Sequence, residues 1–215
     1  MKRIFSLLTV VSLLVSCNLL PDTKISSTDV GGDTNLTMNA TGTKVTTSVQ
    51  VGGTGTAYPA SATITSSVDG VVTADVKLTL PKNNSLASLI PANLKDASGN
   101  LSTTGKYKNT SEGILDYTNK DGKPFVIVNY SSNVGDKYVL TKSDGTTITR
   151  TVTAKSTTDD YPVMGGTMLI KTMTVEQDSR IPGVNKIVYI TNHKYALVAI
   201  VIYMNDGTST KISLL

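Results

Sequence analysis

The sequence predicts an all-β domain built mainly as an antiparallel meander, and three observations carry that reading. Several runs alternate apolar and polar residues, the period of a half-buried strand. Asp-Gly dipeptides at 69–70, 121–122, 144–145 and 206–207 each separate two strand-like runs. Asp-Gly supplies the positive φ angles that a tight hairpin requires. Helix candidates are few, whereas parallel strands would need long crossovers, usually helical. Composition agrees, with 9 Tyr against 2 Phe, no Trp, and only 17% charged residues. Such a chain leans towards strands.

The first element is not part of that domain. Lys2 and Arg3 precede an apolar run from Ile4 to Val15, interrupted by Ser6, Thr9 and Ser12. Small Ser16 then precedes Cys17. This is the layout of a bacterial export signal, and the run is too short for a bilayer span of ~20 residues. Leu14-Val15-Ser16-Cys17 resembles the lipobox of bacterial lipoproteins. The resemblance implies cleavage between Ser16 and Cys17 and a diacylglycerol on the Cys17 sulfur. An acyl chain on the new amino group often follows. Two or three chains anchor a protein stably where one does not. Cys17 is the single cysteine, so no disulfide is available. Asn18 stands where some lipoproteins carry the Asp of inner-membrane retention, which favours the outer membrane.

Cleavage before Cys17 would leave 199 of the 215 residues, enough for one domain. Losing Lys2 and Arg3 leaves 18 basic against 16 acidic residues, a net charge of +2. No Lys/Arg cluster forms the footprint of a nucleic-acid binder. The organisation expected is a signal peptide over 1–16, an acylated Cys17 with a tether over 17–40, and a single β-rich domain over 41–215. The tether assignment rests on Pro21, Gly31-Gly32 and scattered Ser, Thr and Asp between Asn18 and Asn39.

Within the domain, Tyr58, Ala60, Ala62 and Ile64 alternate with polar residues. Val72, Ala74, Val76, Leu78 and Leu80 do the same. Asp69-Gly70 joins these runs as a hairpin. The same device places hairpins at Asp121-Gly122, Asp144-Gly145 and Asp206-Gly207. Asn84 to Asp96 is the main helix candidate, starting at Ser85 and broken or restarted by Pro91. Tyr195 to Met204 is apolar on both faces and too short to span a membrane, which fits a central strand covered on both sides. Two architectures satisfy these elements: a sandwich, or a curved half-barrel with a short helix against its concave side. Some bacterial envelope lipoproteins have the second form and carry lipids, an analogy of fold alone. From Gly135 to the end, Gly-Asp-x-Tyr, a Val-Glu strand and Asn-His-x-aromatic before an apolar strand resemble small β-rich lipoproteins of the Bacteroidetes type. That resemblance implies an envelope location and no catalytic residue.

The search for chemistry is mostly negative. His193, the single histidine, lies in Asn192-His193-Lys194 between two strand-like runs and reads as a turn residue. A general-base role would need specific partners, and no G-x-S-x-G elbow is present. Zinc would want several His or Cys ligands. Asn119 to Gly122 matches part of a calcium loop, but Tyr117 and Val128 occupy positions that require acids. Asp159-Asp160 reads as a solvated loop. Glu176 and Asp178 are the candidates for a glycosidase pair. Gly52-Gly53 and Gly165-Gly166 fit no phosphate-binding pattern. Tyr58, Tyr107, Tyr117, Tyr130 and Tyr138 read as packing residues, with a sugar-stacking surface as the other possibility. No catalytic residue, metal or cofactor is expected. The function expected is a lipid-anchored envelope protein with a non-enzymatic structural or binding role. A lipid or hydrophobic-ligand carrier and a surface hydrolase acting on glycans are the alternatives. The membrane is the expected partner, through the anchor at Cys17.

Overall fold

The computed structural model describes residues 25–52, 56–81, 84–119 and 121–215. Among them, in chain order, lie β1 (Lys44–Val51), β2 (Ala57–Val68), β3 (Val71–Leu78), α1 (Ser85–Leu89), β4 (Leu101–Asn109), β5 (Gly113–Asp116) and β6 (Phe125–Asn129). Then follow β7 (Lys137–Thr141), β8 (Thr147–Lys155), β9 (Tyr161–Val163), β10 (Met168–Ile170), β11 (Met173–Asp178), β12 (Val184–Asn192), β13 (Ala196–Met204) and β14 (Ser209–Ser213). Twelve of these strands form one antiparallel sheet, in the order β6-β5-β4-β3-β2-β1-β14-β13-β12-β11-β8-β7. The sheet curls until it is nearly a closed barrel. The curved form therefore holds and the sandwich does not, but the short helix lies at a rim and not against the concave side.

All four Asp-Gly dipeptides connect antiparallel neighbours, but by two mechanisms. At Asp69-Gly70 both residues take positive φ, 51° and 76°, the two-residue hairpin that right-handed strand twist favours. At 144–145 and 206–207 only the glycine does so. There the aspartate works through its side chain. Asp144 Oδ1 accepts the Thr146 N–H at 2.9 Å, and Asp206 Oδ1 accepts the Thr208 N–H at 2.8 Å.

The seam between β6 and β7 lacks a strand ladder, and side chains and the leading segment close it. The Ser27 carbonyl accepts the Val126 N–H of β6 at 2.9 Å. The Ser27 hydroxyl accepts the Val139 N–H of β7 at 2.8 Å. Tyr138 Oη accepts the Asn129 N–H at 3.0 Å and donates to Ser132 Oγ at 2.8 Å. At one rim, Asp121 accepts the Ser143 N–H at 2.6 Å and hydroxyl at 2.7 Å, tying the β5–β6 turn to the β7–β8 turn. Those two hydrogen bonds hold the Asp121 carboxyl below its ordinary pKa.

Of the tether expected over residues 17–40, residues 25–40 are described. From Ile25 onward the segment packs on the barrel. Val30, 4% exposed, joins the main core, and Ile25 and Met38 pack against it. Buried Asn39 donates to the carbonyls of Thr34 and Asn109 at 2.8 and 3.0 Å. A side chain at Gly113 would meet the Val128 carbonyl oxygen at 2.3 Å and Val30 at 3.1 Å. These apolar residues are single and widely spaced among polar ones, so no strand or helix period announces them. Ser16 and Cys17 lie outside the described residues.

α1 occupies the start of the helix candidate. Asn84 caps it by accepting the Ala87 N–H at 3.1 Å. Asn84 is buried and donates to Thr210 Oγ1 at 3.2 Å, while Ser85 Oγ donates to Asp206 Oδ2 at 2.5 Å. The helix thus covers the rim formed by the β13–β14 turn. Pro91 precedes a 3-10 turn, Ala92–Leu94. β13 is covered on both faces around Val198, as its composition predicts, while Tyr203 near its end is exposed. The register jumps from Thr191↔Leu197 to Ile190↔Ala199, which leaves Val198 as the extra residue of a bulge. Leu197 and Ile200 face inward. Val198 faces out, under Val163 and Ile170 of the β9–β10 hairpin.

Candidate functional site: an apolar cavity beside a buried arginine

Inward positions follow strand alternation, but the side chains there differ around the barrel. Those of β5 to β8 and β11 are bulky: Ile114, Phe125, Ile127, Tyr138, Leu140, Val152 and Val175 are all buried. Those of β2, β3 and β4 include Ala60, Ala62, Ala74 and Gly105, which pair with or stand beside one another in the registers β2–β3 and β3–β4. Small residues cannot fill the lumen. A cavity of about 210 Å³ remains between β1–β4 and β13–β14. Val45, Ala62, Ile64, Ala74, Ile200 and Ile212 line it, and Met38 of the leading segment closes on it.

Thr47 and Tyr107 are among the polar residues that line this largely apolar space. Thr47 Oγ1 is buried and has no hydrogen-bond partner among the described residues. The Tyr107 hydroxyl is pushed up to about 12, first by burial and then by the Asp116 carboxylate. It stays neutral at ordinary pH. Gly105 makes room for this ring, since a Cβ there would lie 2.7 Å from Tyr107 Cε2.

Beyond Tyr107 the lumen turns polar around Arg150, which is 2% exposed. Its NH2 donates to Asp116 Oδ2 at 2.9 Å and to Tyr189 Oη at a long 3.5 Å. Nε donates to Gln177 Oε1 at 2.7 Å. NH1 donates to the Phe125 and Val126 carbonyls at 3.2 and 3.1 Å. The five N–H groups of a guanidinium thus all have acceptors. The Phe125 ring lies below its plane, 4.1 Å from carbon to centroid. Burial raises the Tyr189 pKa, so that hydroxyl also remains neutral. An arginine saturated in this way joins β8 to β5, β6, β11 and β12, and leaves no donor for a ligand.

The other candidates are placed as follows. His193 is exposed in the β12–β13 turn, edge-on to Tyr130 with ring centroids 6.4 Å apart. Its imidazole hydrogen-bonds no serine or aspartate among the described residues. Asn192 forms the turn by accepting the N–H groups of Lys194 and Tyr195 at 2.7 and 3.0 Å. Glu176 alternates with inward Val175 and Gln177, so it points out of the barrel, as does Asp178. Glu176 pairs with Lys186 at 2.9 Å, and the two carboxylates do not face each other across a cleft. Asn119 Oδ1 accepts the N–H groups of Asp121 and Lys123, each at 3.2 Å, which makes a turn of the segment that matches a calcium loop in part. Asp159 accepts the Lys171 N–H and Asp160 the Ser156 hydroxyl. No group of three or more metal-ligating residues occurs among the described residues. The five tyrosines do not form one stacking surface. Tyr58 packs with the Val49 cluster, and Tyr107, Tyr117, Tyr130 and Tyr138 belong to the larger core.

Arg150, Asp116 and Thr47 were not singled out by motif. Arg150 nevertheless stands in phase with Ile148 and Val152 in TTITRTVTA. A charge on the apolar phase of a strand is a legible sign of a buried polar centre. Comparison of the chain with models of known protein families, with curated proteins and with solved structures finds no match.

Proposed function

We propose that this chain is a lipid-anchored protein of the bacterial envelope whose barrel binds a small hydrophobic ligand without chemical conversion. The cavity of about 210 Å³ between β1–β4 and β13–β14 carries the reading. Engineered apolar cavities of about 150 Å³ stay dry and take up benzene-sized molecules. This one is somewhat larger, while pockets for drug-sized ligands span ~300–1,000 Å³. The size suits one medium-length acyl chain rather than a two-chain phospholipid. Each buried methylene contributes about 0.8 kcal/mol, so a chain of several carbons gains useful affinity from burial alone. The outer face of β1, β3 and β4 carries Lys44, Thr46, Asp75, Lys77, Thr104 and Lys106. Those side chains suit water rather than lipid outside the barrel. The resemblance of Leu14-Val15-Ser16-Cys17 to a lipobox supports the anchor.

Titration with a neutral fluorescent naphthylamine tests the cavity. Saturable enhancement is expected for the native chain and its loss for Ala74→Phe, with the circular dichroism spectrum unchanged. An unsaturable signal from the native chain overturns the reading. The anchor is tested by palmitate labelling in a bacterial host. Label is expected in the native chain and lost in Cys17→Ser, and label retained by that variant removes the anchor.

A further inference from the structure

The cavity is not the whole of the hollow at its rim. A second hollow, of about 220 Å³, lies where β6, β8 and β12 end and β11 begins. Its lining includes Lys155, Lys171 and His193, with Tyr130 and Asn192 between them. No carboxylate of the described residues lines it. The β12–β13 turn belongs to both hollows: Asn192 and His193 line the second, and Tyr195 and Ala196 line the apolar cavity. A single turn of chain therefore separates an apolar space from a basic one on the same rim.

Resting on the reading of the cavity as a ligand site, we infer that the ligand is an anionic single-chain amphiphile, its tail in the cavity and its head against Lys155, Lys171 and His193. The groove is built to present charge. Lys155 Nζ donates to the carbonyls of Tyr130 and Ser132 at 3.0 and 2.8 Å. An ammonium has three N–H groups, so one donor remains for an anion. The Lys171 ammonium and the His193 imidazole have no hydrogen-bond partner among the described residues. The frame behind them is fixed. Tyr130 Oη donates to the Asn192 carbonyl at 2.9 Å, Asn192 Nδ2 to the Lys171 carbonyl at 2.6 Å, and Thr191 Oγ1 to the Met173 carbonyl at 2.9 Å. Two carboxylates flank the lining without entering it: Asp159 accepts the Lys171 N–H at 2.9 Å and Asp160 the Ser156 hydroxyl at 2.8 Å. The size of the cavity limits the tail to one chain, and the basic groove selects a negative head. A carboxylate and a phosphate ester both meet those terms.

The test uses the full chain carrying Cys17→Ser, and displacement of the naphthylamine by dodecanoate, dodecyl phosphate, dodecanol and inorganic phosphate. Both charged amphiphiles are expected to displace at least tenfold more strongly than dodecanol, and whichever binds tighter identifies the head. Each methylene removed from the tail weakens displacement about fourfold. Lys171→Glu with His193→Gln should erase the charged advantage and leave dodecanol within twofold. These side chains make no bond in the frame, so the fold is kept. Equal displacement by dodecanol and dodecanoate, or an unchanged advantage in the double variant, overturns the anionic head while the cavity stands. Inorganic phosphate shifting the His193 ring resonances at concentrations as low as dodecyl phosphate does would make the groove a free-anion site and overturn the amphiphile. Failure of every chain-bearing compound to displace would defeat the cavity reading itself.

Discussion

One half of the barrel is filled and the other is hollow, although the same alternation builds both. In the filled half, Phe125, Ile127, Tyr138 and Val175 meet across the lumen, and Arg150 gathers four strands. In the hollow half, the inward phase of β2–β4 runs through Ala60, Ala62, Ala74 and Gly105. Period decides which face looks inward, and side-chain volume decides whether that face makes a core or a cavity. The filled half also carries the seam, where no ladder holds β6 to β7. Dense packing stands where the sheet is open, and space is left where the strand ladder is continuous.

Arg150→Ala should break the filled half most severely. It would leave the half-buried Asp116 without its cationic partner and take the Arg150 donor from the Phe125 and Val126 carbonyls. Removing one member of a buried ion pair typically destabilises by ~3–5 kcal/mol. The urea midpoint should collapse, whereas replacing both members by apolar residues, Arg150→Met with Asp116→Leu, should recover much of the loss. A small effect of the single change would mean that the seam does not depend on the arginine. The hollow half should respond differently. Ala74→Phe adds a ring to existing space, so stability should shift by less than about 1.5 kcal/mol. A ring forced into a well-packed core usually costs more, so a large loss would show that the cavity cannot admit it.

The difference between the halves explains how far the sequence could be read. Alternation and Asp-Gly turns made the strands and the four hairpins legible, but left a sandwich and a curved half-barrel both open. The doubly covered β13 was legible from its unbroken apolar run. Packing of Ile25 to Asn39 was not, because Ile25, Val30 and Met38 are isolated apolar residues whose partners lie far along the chain. Nor was the cavity. Alanines at 60, 62 and 74 look the same in sequence whether large residues or empty space face them. Lys155, Lys171 and His193 are separated by long stretches, and only the order of strands brings them to one rim.

Acid should loosen the seam. The Asp121 carboxyl is held low by its bonds to Ser143, and Asp144 is lowered to about 2 by the Thr146 hydroxyl and N–H. A carboxyl depressed in the folded state adds stability that is complete above its unfolded value, ~3.9. That stability is lost as pH falls through the folded value. The urea midpoint should therefore fall between pH 5 and pH 2. Asp121→Asn should flatten that dependence and speed hydrogen exchange at the Ser143 N–H. An Asp121→Asn protein with an unaltered acid transition would show that the two turns are held by other contacts.

The smallest expected effect concerns the segment that bridges the seam. Ser27→Ala removes the acceptor of the Val139 N–H and leaves the Ser27 carbonyl on Val126. The site is exposed, so water replaces part of the lost bond. A single neutral hydrogen bond contributes ~0.5–1.5 kcal/mol net, and the loss should lie at the low end. Hydrogen exchange resolves what the urea midpoint cannot. If Ser27 acts as two separate contacts, Val139 exchanges faster and Val126 does not. If residues 25–30 dock as a unit, both accelerate together, and Val30 leaves the core with them. The second outcome would make the filled half depend on a segment that enters it only eight residues after Cys17, and would link the anchor proposed there mechanically to the seam.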